Sequence, residues 1–301
     1  MRSRVCSFLF LWLASSFAIA ERLDRLPAYV VQLPAEVATV LIAETGESAL
    51  HRVVNDADGL RYVDERYMSI GQNGVGKQRP WDRRTPLGIY FIAEQLDTTK
   101  LHERYGPTAF PLDYPNAWDR RNDRGGDGIW IHGVTEGGGQ RPPLDTDGCI
   151  ALPNDELLLL EKELVPIVTP VIIAREMRWA SAEETAGLRE ELNAALDAWA
   201  GSILDGDLHG YLSTYAGDFE YRGMSRDEWA SYRVETFAAA AVDAISIDNV
   251  LLLADPEQEG LFLSRFRQSI AEGEKTFTTS KRLYWRRDGA GQLKIVAEDN
   301  G

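Results

Sequence analysis

The sequence holds two cysteines, Cys6 and Cys149, and the first lies in a stretch expected to be removed. Arg2 and Arg4 form a short basic region, Val5 to Leu13 an apolar core, and Ala18-Ile19-Ala20 a small-x-small cleavage site before Glu21, the pattern of a secretory signal peptide over 1–20. An exported chain left with one thiol cannot form an internal disulfide. Cys149 is therefore either a buried inert side chain or a working nucleophile. Long apolar runs are missing after the leader, so no membrane span is expected in the mature chain. Histidine is scarce, with four in 301 residues, and no close ligand pair accompanies the single cysteine, so no metal and no cofactor is expected. Basic charge is in deficit: the net charge of −15 falls to −17 when Arg2 and Arg4 leave with the leader. Such a surface repels nucleic acid and anionic membrane, and any anionic ligand must be recognised locally.

What is present is enough for two cores. About 280 mature residues, 44% of all residues hydrophobic and eight tryptophans favour two domains. After an N-terminal segment, 21–37, short apolar runs separated by turn residues (Thr39 to Ala43, Ala49 to Val54, Tyr67 to Gly71, Thr85 to Ala93, Asp127 to Gly133) predict an antiparallel sheet. Residues 97–126 contain Pro107, Pro111 and Pro115 and predict an extended loop over it. Asn154 to Leu164 has a capping residue followed by acids and predicts a short helix, and Pro166 to Ile173 a closing strand. The first domain thus spans 38–174, a polar linker 175–184, and a second domain 185–301. That second domain opens with an amphipathic helix (Leu188, Leu192, Leu196, Trp199, Ile203) and ends in several antiparallel strands after Ile245. Asp207 and His209 fall in a loop between helices and are expected to be solvated.

One segment imitates a nucleotide site. Gly71-Gln72-Asn73-Gly74-Val75-Gly76-Lys77 has phosphate-loop spacing, but Gln78 replaces the magnesium-binding hydroxyl and Pro80 follows where a helix should start. Nucleotide binding is not expected.

Chemistry concentrates at Ile131-His132-Gly133 and Thr146-Asp147-Gly148-Cys149-Ile150. An imidazole at hydrogen-bond distance would lower the thiol's pKa and deliver a proton to a leaving amine. Gly148 lets the chain turn tightly, so that the N–H groups of Gly148 and Cys149 are candidate oxyanion donors. Thr146 either bonds within the site or shapes the turn, and Asp147 either orients a neighbour or solvates the loop.

These residues resemble the signature of the L,D-transpeptidase (YkuD-like) catalytic domain, a His-Gly followed by Ser/Thr-x-Gly-Cys-apolar. Arg83 to Tyr90 and the run Tyr105 to Asn116, with Tyr114 as a site-shaping candidate, are similar to the same domain. The resemblance implies a mainly β sandwich with short helices, and an enzyme acting on peptidoglycan stem peptides in the periplasm. In it Cys149 attacks the bond between meso-diaminopimelate and D-alanine, His132 is held by the Gly133 carbonyl, and the acyl group passes to an amine or to water. Two positions depart from the pattern: Asp147 stands where many members have histidine, and Ala151 where many have arginine. The run Trp199 to Leu212, with Tyr215, Asp218-Phe219 and Ser225 to Trp229, resembles an NTF2-like α+β cone. That order of domains is similar to the cell-shape L,D-carboxypeptidases of helical bacteria, which trim tetrapeptides to tripeptides. It implies a second domain that binds glycan or peptide or pairs with a second copy. A non-catalytic wall-binding scaffold is the reading of another class.

Overall fold

The computed structural model describes residues 25–239 and 242–301; the leader and Cys6 lie outside them. The first half is built on a five-stranded sheet in the order Gly59–Tyr67, Ala49–Asp56, Thr39–Glu44, Pro170–Ala174, Gly88–Phe91. Its pairing is antiparallel except at one seam, where Pro170–Ala174 runs parallel to Thr39–Glu44. Opposite it lies a three-stranded sheet with Trp130–His132 at its centre, antiparallel to Ala109–Pro111 and parallel to Ile150–Ala151.

Thr39–Glu44 and Pro170–Ala174 are apolar without alternation because both faces are covered. Leu41, Ala43, Val171 and Ile173 point into a core with Phe110, Ile131, Ile150, Leu157 and Leu160. Val40, Ile42 and Ile172 point the other way, into a core shared with Leu251, Leu253, Leu261, Leu263, Tyr284 and Val296 of the second half. The two halves therefore share buried apolar surface and are not beads on a string.

The second half is a seven-stranded sheet in the order Met224–Ser225, Tyr215–Tyr221, Leu293–Asp299, Lys275–Arg287, Leu261–Glu272, Ala244–Ala254, Val30–Gln32. Helices Ala182–Leu204, Leu208–Ser213 and Arg226–Ala239 accompany it. Leu192, Leu196, Trp199 and Ile203 of the long helix meet Tyr211, Tyr215, Phe219, Trp229, Phe266 and Trp285 in a third core. Within it Tyr211 Oη and Tyr215 Oη lie 2.7 Å apart, Tyr215 Oη donates to Glu298 at 2.8 Å, and Lys281 Nζ pairs with the same carboxylate at 2.9 Å.

Several expectations need correction. The N-terminal segment is not separate: Val30–Gln32 extends the second sheet beside Ala244–Ala254, and Leu26–Pro27 pairs with Trp179–Ala180. The supposed linker contains that strand and a capping box, in which Ser181 accepts from Glu184 N–H and Glu184 accepts from Ser181 N–H, so the helix begins at Ala182. Residues 97–126 hold two short 3-10 turns, the strand Ala109–Pro111 and the helix Ala117–Arg121, capped by Asn116. Asn154 does not cap its helix, Asn154–Glu161, because its side chain is engaged elsewhere. Asp207, in contrast, caps Leu208–Ser213 through Gly210 N–H.

Charged pairs clamp the two halves. Arg121 reaches Asp218 at 2.7 Å and the Val296 carbonyl at 3.0 Å. Arg282, largely buried, bridges Asp113 of the first half and Asp299 of the second, the latter at 2.6 Å. Replacing Arg282 by methionine leaves the partly exposed Asp113 and the buried Asp299 without their shared partner and is expected to cost about 3 kcal/mol in denaturant-monitored unfolding at pH 7. Adding Asp113→Asn and Asp299→Asn should recover much of that loss, and a single variant as stable as the parent would show the bridge to be idle.

Candidate active site

The parallel pairing of Ile150 with Ile131 and Ala151 with His132 sets Cys149 just before one strand and His132 at the exit of its neighbour. Both line one cleft of about 560 Å³. The imidazole is oriented by its own chain: His132 Nδ1 donates to the Gly133 carbonyl at 2.6 Å, which makes Nε2 the basic nitrogen. The Tyr105 ring stands edge-on to it at 5.2 Å, and the Tyr105 carbonyl accepts the Gly133 N–H at 3.0 Å. Asn154 closes the same turn by accepting from Val134 N–H at 2.7 Å and donating to the Val134 carbonyl at 3.0 Å. A Cβ at position 133 would lie 2.3 Å from Asn154 Oδ1, so glycine is required there.

The cysteine turn is held as firmly. Gly148 has φ of +127°, and a Cβ there would lie 2.8 Å from the Arg84 carbonyl. Buried Thr85 donates to the Gly148 carbonyl at 2.9 Å. Thr146 Oγ1 donates to the Cys149 carbonyl at 2.7 Å and accepts the Gly148 N–H at 3.1 Å. Thr146 thus shapes the turn. That last bond also corrects the expected oxyanion pair, since the Gly148 N–H is directed at Thr146 and the Cys149 N–H is what remains of it.

The thiol donates to the Gly128 carbonyl at 3.3 Å and receives the Trp130 N–H. Burial pushes the Cys149 thiol up to about 11, against the pull of that N–H and of the charges on Arg104 and Lys77. Burial likewise holds His132 down at about 4, against the Gly133 carbonyl. The resting pair is therefore a neutral thiol and a neutral imidazole, and the expected lowering of the thiol is not what the buried site produces. Alkylation reads this directly. Iodoacetamide should modify Cys149 at pH 8 about a hundredfold more slowly than a free thiol, with the rate climbing about tenfold per pH unit towards pH 11. A rate already level at pH 7 would mean a preformed thiolate.

Three further expectations are resolved by position. Asp147 is exposed and faces Arg83 at 3.6 Å on the cleft wall. Tyr114 does not reach the cleft: it is buried, stacks edge-on to Tyr90 at 5.8 Å and donates to the Gly125 carbonyl at 2.9 Å, so it packs the core behind the site. Lys77 of the phosphate-loop look-alike is buried against Asp82 at 2.9 Å. Burial would raise Asp82, but the N–H groups of Gln78, Arg79 and Arg84 together with Lys77 hold it down at about 2. This turn presents Trp81, 94% exposed, and Arg83 to the cleft.

Sequence reasoning missed the cations. Arg83, Arg104 and Arg141 reach one cleft from three separate loops, although the position two after the cysteine is Ala151, buried beside Ser69. Their spacing in the chain carries no periodic signal. Only the fold brings them together.

Comparison with known proteins adds two matches. Residues 40–173 match the L,D-transpeptidase catalytic domain (YkuD), and residues 191–299 match the Cds6 C-terminal NTF2-like domain. No curated protein matches the sequence. Among solved structures, the helical cell shape determining protein Pgp2 from Campylobacter jejuni is similar at 24% identity, with a TM-score of 0.77 over 94% of this chain and 98% of that one. Bd1075 from Bdellovibrio bacteriovorus is similar at 23% identity, with a TM-score of 0.76 over 92% and 98%. Both likenesses speak for the same fold across both halves.

Proposed function

Because the chain joins an L,D-transpeptidase catalytic domain to a C-terminal NTF2-like domain, we propose that it is a periplasmic cysteine enzyme that opens the L,D bond between diaminopimelate and D-alanine in tetrapeptide stems of peptidoglycan. The observation that supports this reading most is the single cleft shared by Cys149 and by a His132 whose Nδ1 is locked, so that its basic nitrogen is Nε2.

In this mechanism Cys149 Sγ attacks the diaminopimelate carbonyl carbon as its proton passes to His132 Nε2. The proton then goes to the nitrogen of D-alanine, which leaves, and a thioester remains. The oxyanion forms beside the Cys149 N–H. An amine or water then attacks the thioester and gives its proton to His132, which passes it to the departing sulfur and so restores the thiol. Because both groups rest neutral, proton transfer accompanies attack and does not precede it. Water as acceptor makes the enzyme an L,D-carboxypeptidase that trims tetrapeptides to tripeptides. The fold that this chain shares with the Campylobacter cell-shape protein supports a role in cell shape.

The test is incubation of the mature protein with tetrapeptide-stem muropeptides and mass analysis. Loss of D-alanine alone identifies the carboxypeptidase; a cross-linked or exchanged product identifies the transpeptidase. No change dependent on Cys149 leaves the non-catalytic scaffold.

A further inference from the structure

Four cations line the cleft, and three of them have a carboxylate partner. Lys77 pairs with Asp82 at 2.9 Å, Arg141 with Asp145 at 2.5 Å, and Arg83 faces Asp147 at 3.6 Å. Arg104 has no carboxylate within ion-pair distance among the described residues. It donates from Nη2 to Tyr105 Oη at 2.7 Å and lies 4.8 Å from the centre of that ring. It is not loosely placed, because the neighbouring Tyr105 packs against His132 and binds the Gly133 N–H through its carbonyl. Its charge also reaches the thiol of Cys149.

An exposed guanidinium with no carboxylate in ion-pair contact, only the field of Asp147 beyond that distance, in a chain of net charge −15, is a binding element for a planar anion. The departing D-alanine carries such an anion, with its carboxylate carbon two bonds from the nitrogen that leaves. We propose that Arg104 recognises the terminal carboxylate of that D-alanine and so restricts the enzyme to stems that end there. This rests on the function proposed above. Arg104 then supplies from the 3-10 turn Glu103–Tyr105 a cation that the sequence lacks at position 151. The ion pair forms on binding and leaves with the product, with no bond made or broken at the arginine.

The experiment compares a tetrapeptide stem, its C-terminal amide and a stem amidated at the diaminopimelate carboxylate, using the mature protein, Arg104→Gln and Arg104→Lys. The wild type is expected to prefer the free acid over the C-terminal amide by about a hundredfold in kcat/KM. Arg104→Gln should lose that preference by slowing the acid alone, and Arg104→Lys should restore part of it. Equal cleavage of acid and amide by the wild type overturns the proposal and leaves the proposed function standing. An equal loss on both substrates in Arg104→Gln also overturns it, since the arginine then acts through the thiol. Selectivity that follows the diaminopimelate amide overturns it in favour of that carboxylate. If no stem is cleaved, the function fails, and binding to Cys149→Ala decides the rest: tighter binding of the acid than of its amide supports Arg104, and equal binding overturns it.

Discussion

Cys149→Ala is expected to lower the release of D-alanine from tetrapeptide stems by about 10⁴-fold or more, to the background of the uncatalysed reaction. The expected loss is large because the hydroxyl nearest in sequence cannot stand in for the thiol: Thr146 Oγ1 is bound within the turn to the Cys149 carbonyl. The fold should survive. The turn is held by Thr85, Thr146 and the positive φ of Gly148, none of which involves the sulfur. Removing one buried sulfur should cost about 1 kcal/mol in unfolding. Cys149→Ser should fare little better than alanine, since a hydroxyl beside a neutral imidazole is a poorer nucleophile than a thiol. Retention of more than a tenth of the activity in the alanine variant would remove the thiol from the chemistry.

The second large effect concerns His132. Its replacement by asparagine should reduce kcat by about 10³-fold, within the range of a lost general acid and base, and leave KM nearly unchanged. The same variant has a signature in stability. Burial holds the His132 imidazole at about 4 in the folded chain, below its ordinary value of about 6.5. As pH falls from about 6.5 towards 4, the unfolded chain takes up the proton first. The stability contributed by the neutral buried ring is therefore complete above about pH 6.5 and is eroded on acidification, by roughly 3 kcal/mol at pH 4. His132→Asn should lack that part of the acid sensitivity, measured as the difference between denaturant midpoints at pH 7 and pH 4. Parallel losses in parent and variant would mean that the ring is not held neutral by the fold.

The candidate pair, His132 and Cys149, was legible in the sequence because its motifs are local. His-Gly and Thr-Asp-Gly-Cys are short runs in which each residue's role follows from neighbours one to three positions away. The Gly133 carbonyl holds His132, and Gly148 takes a backbone angle that side chains rarely adopt. Tyr114 was misplaced for the opposite reason, since nothing in its own run says which way the ring turns; it packs on Tyr90, 24 positions earlier in the chain. The Gly148 N–H was misassigned because a hydroxyl two residues away competes for it. Ser181 to Glu184 carried a legible capping box, yet the polar composition around it reads as linker.

By itself the sequence determined the two units, one mainly β and one α+β, and their likeness to the L,D-transpeptidase catalytic and NTF2-like domains. Each of these depends on composition, on short-range periodicity or on contacts within a few residues. The tertiary structure decided what depends on distant segments meeting. It drew Val30–Gln32 into the far sheet, buried the central strands of the five-stranded sheet on both faces, and brought Arg83, Arg104 and Arg141 from separate segments to the cleft. It also set how His132 and Cys149 titrate, because burial is a property of the surrounding fold and here it outweighs the charges nearby.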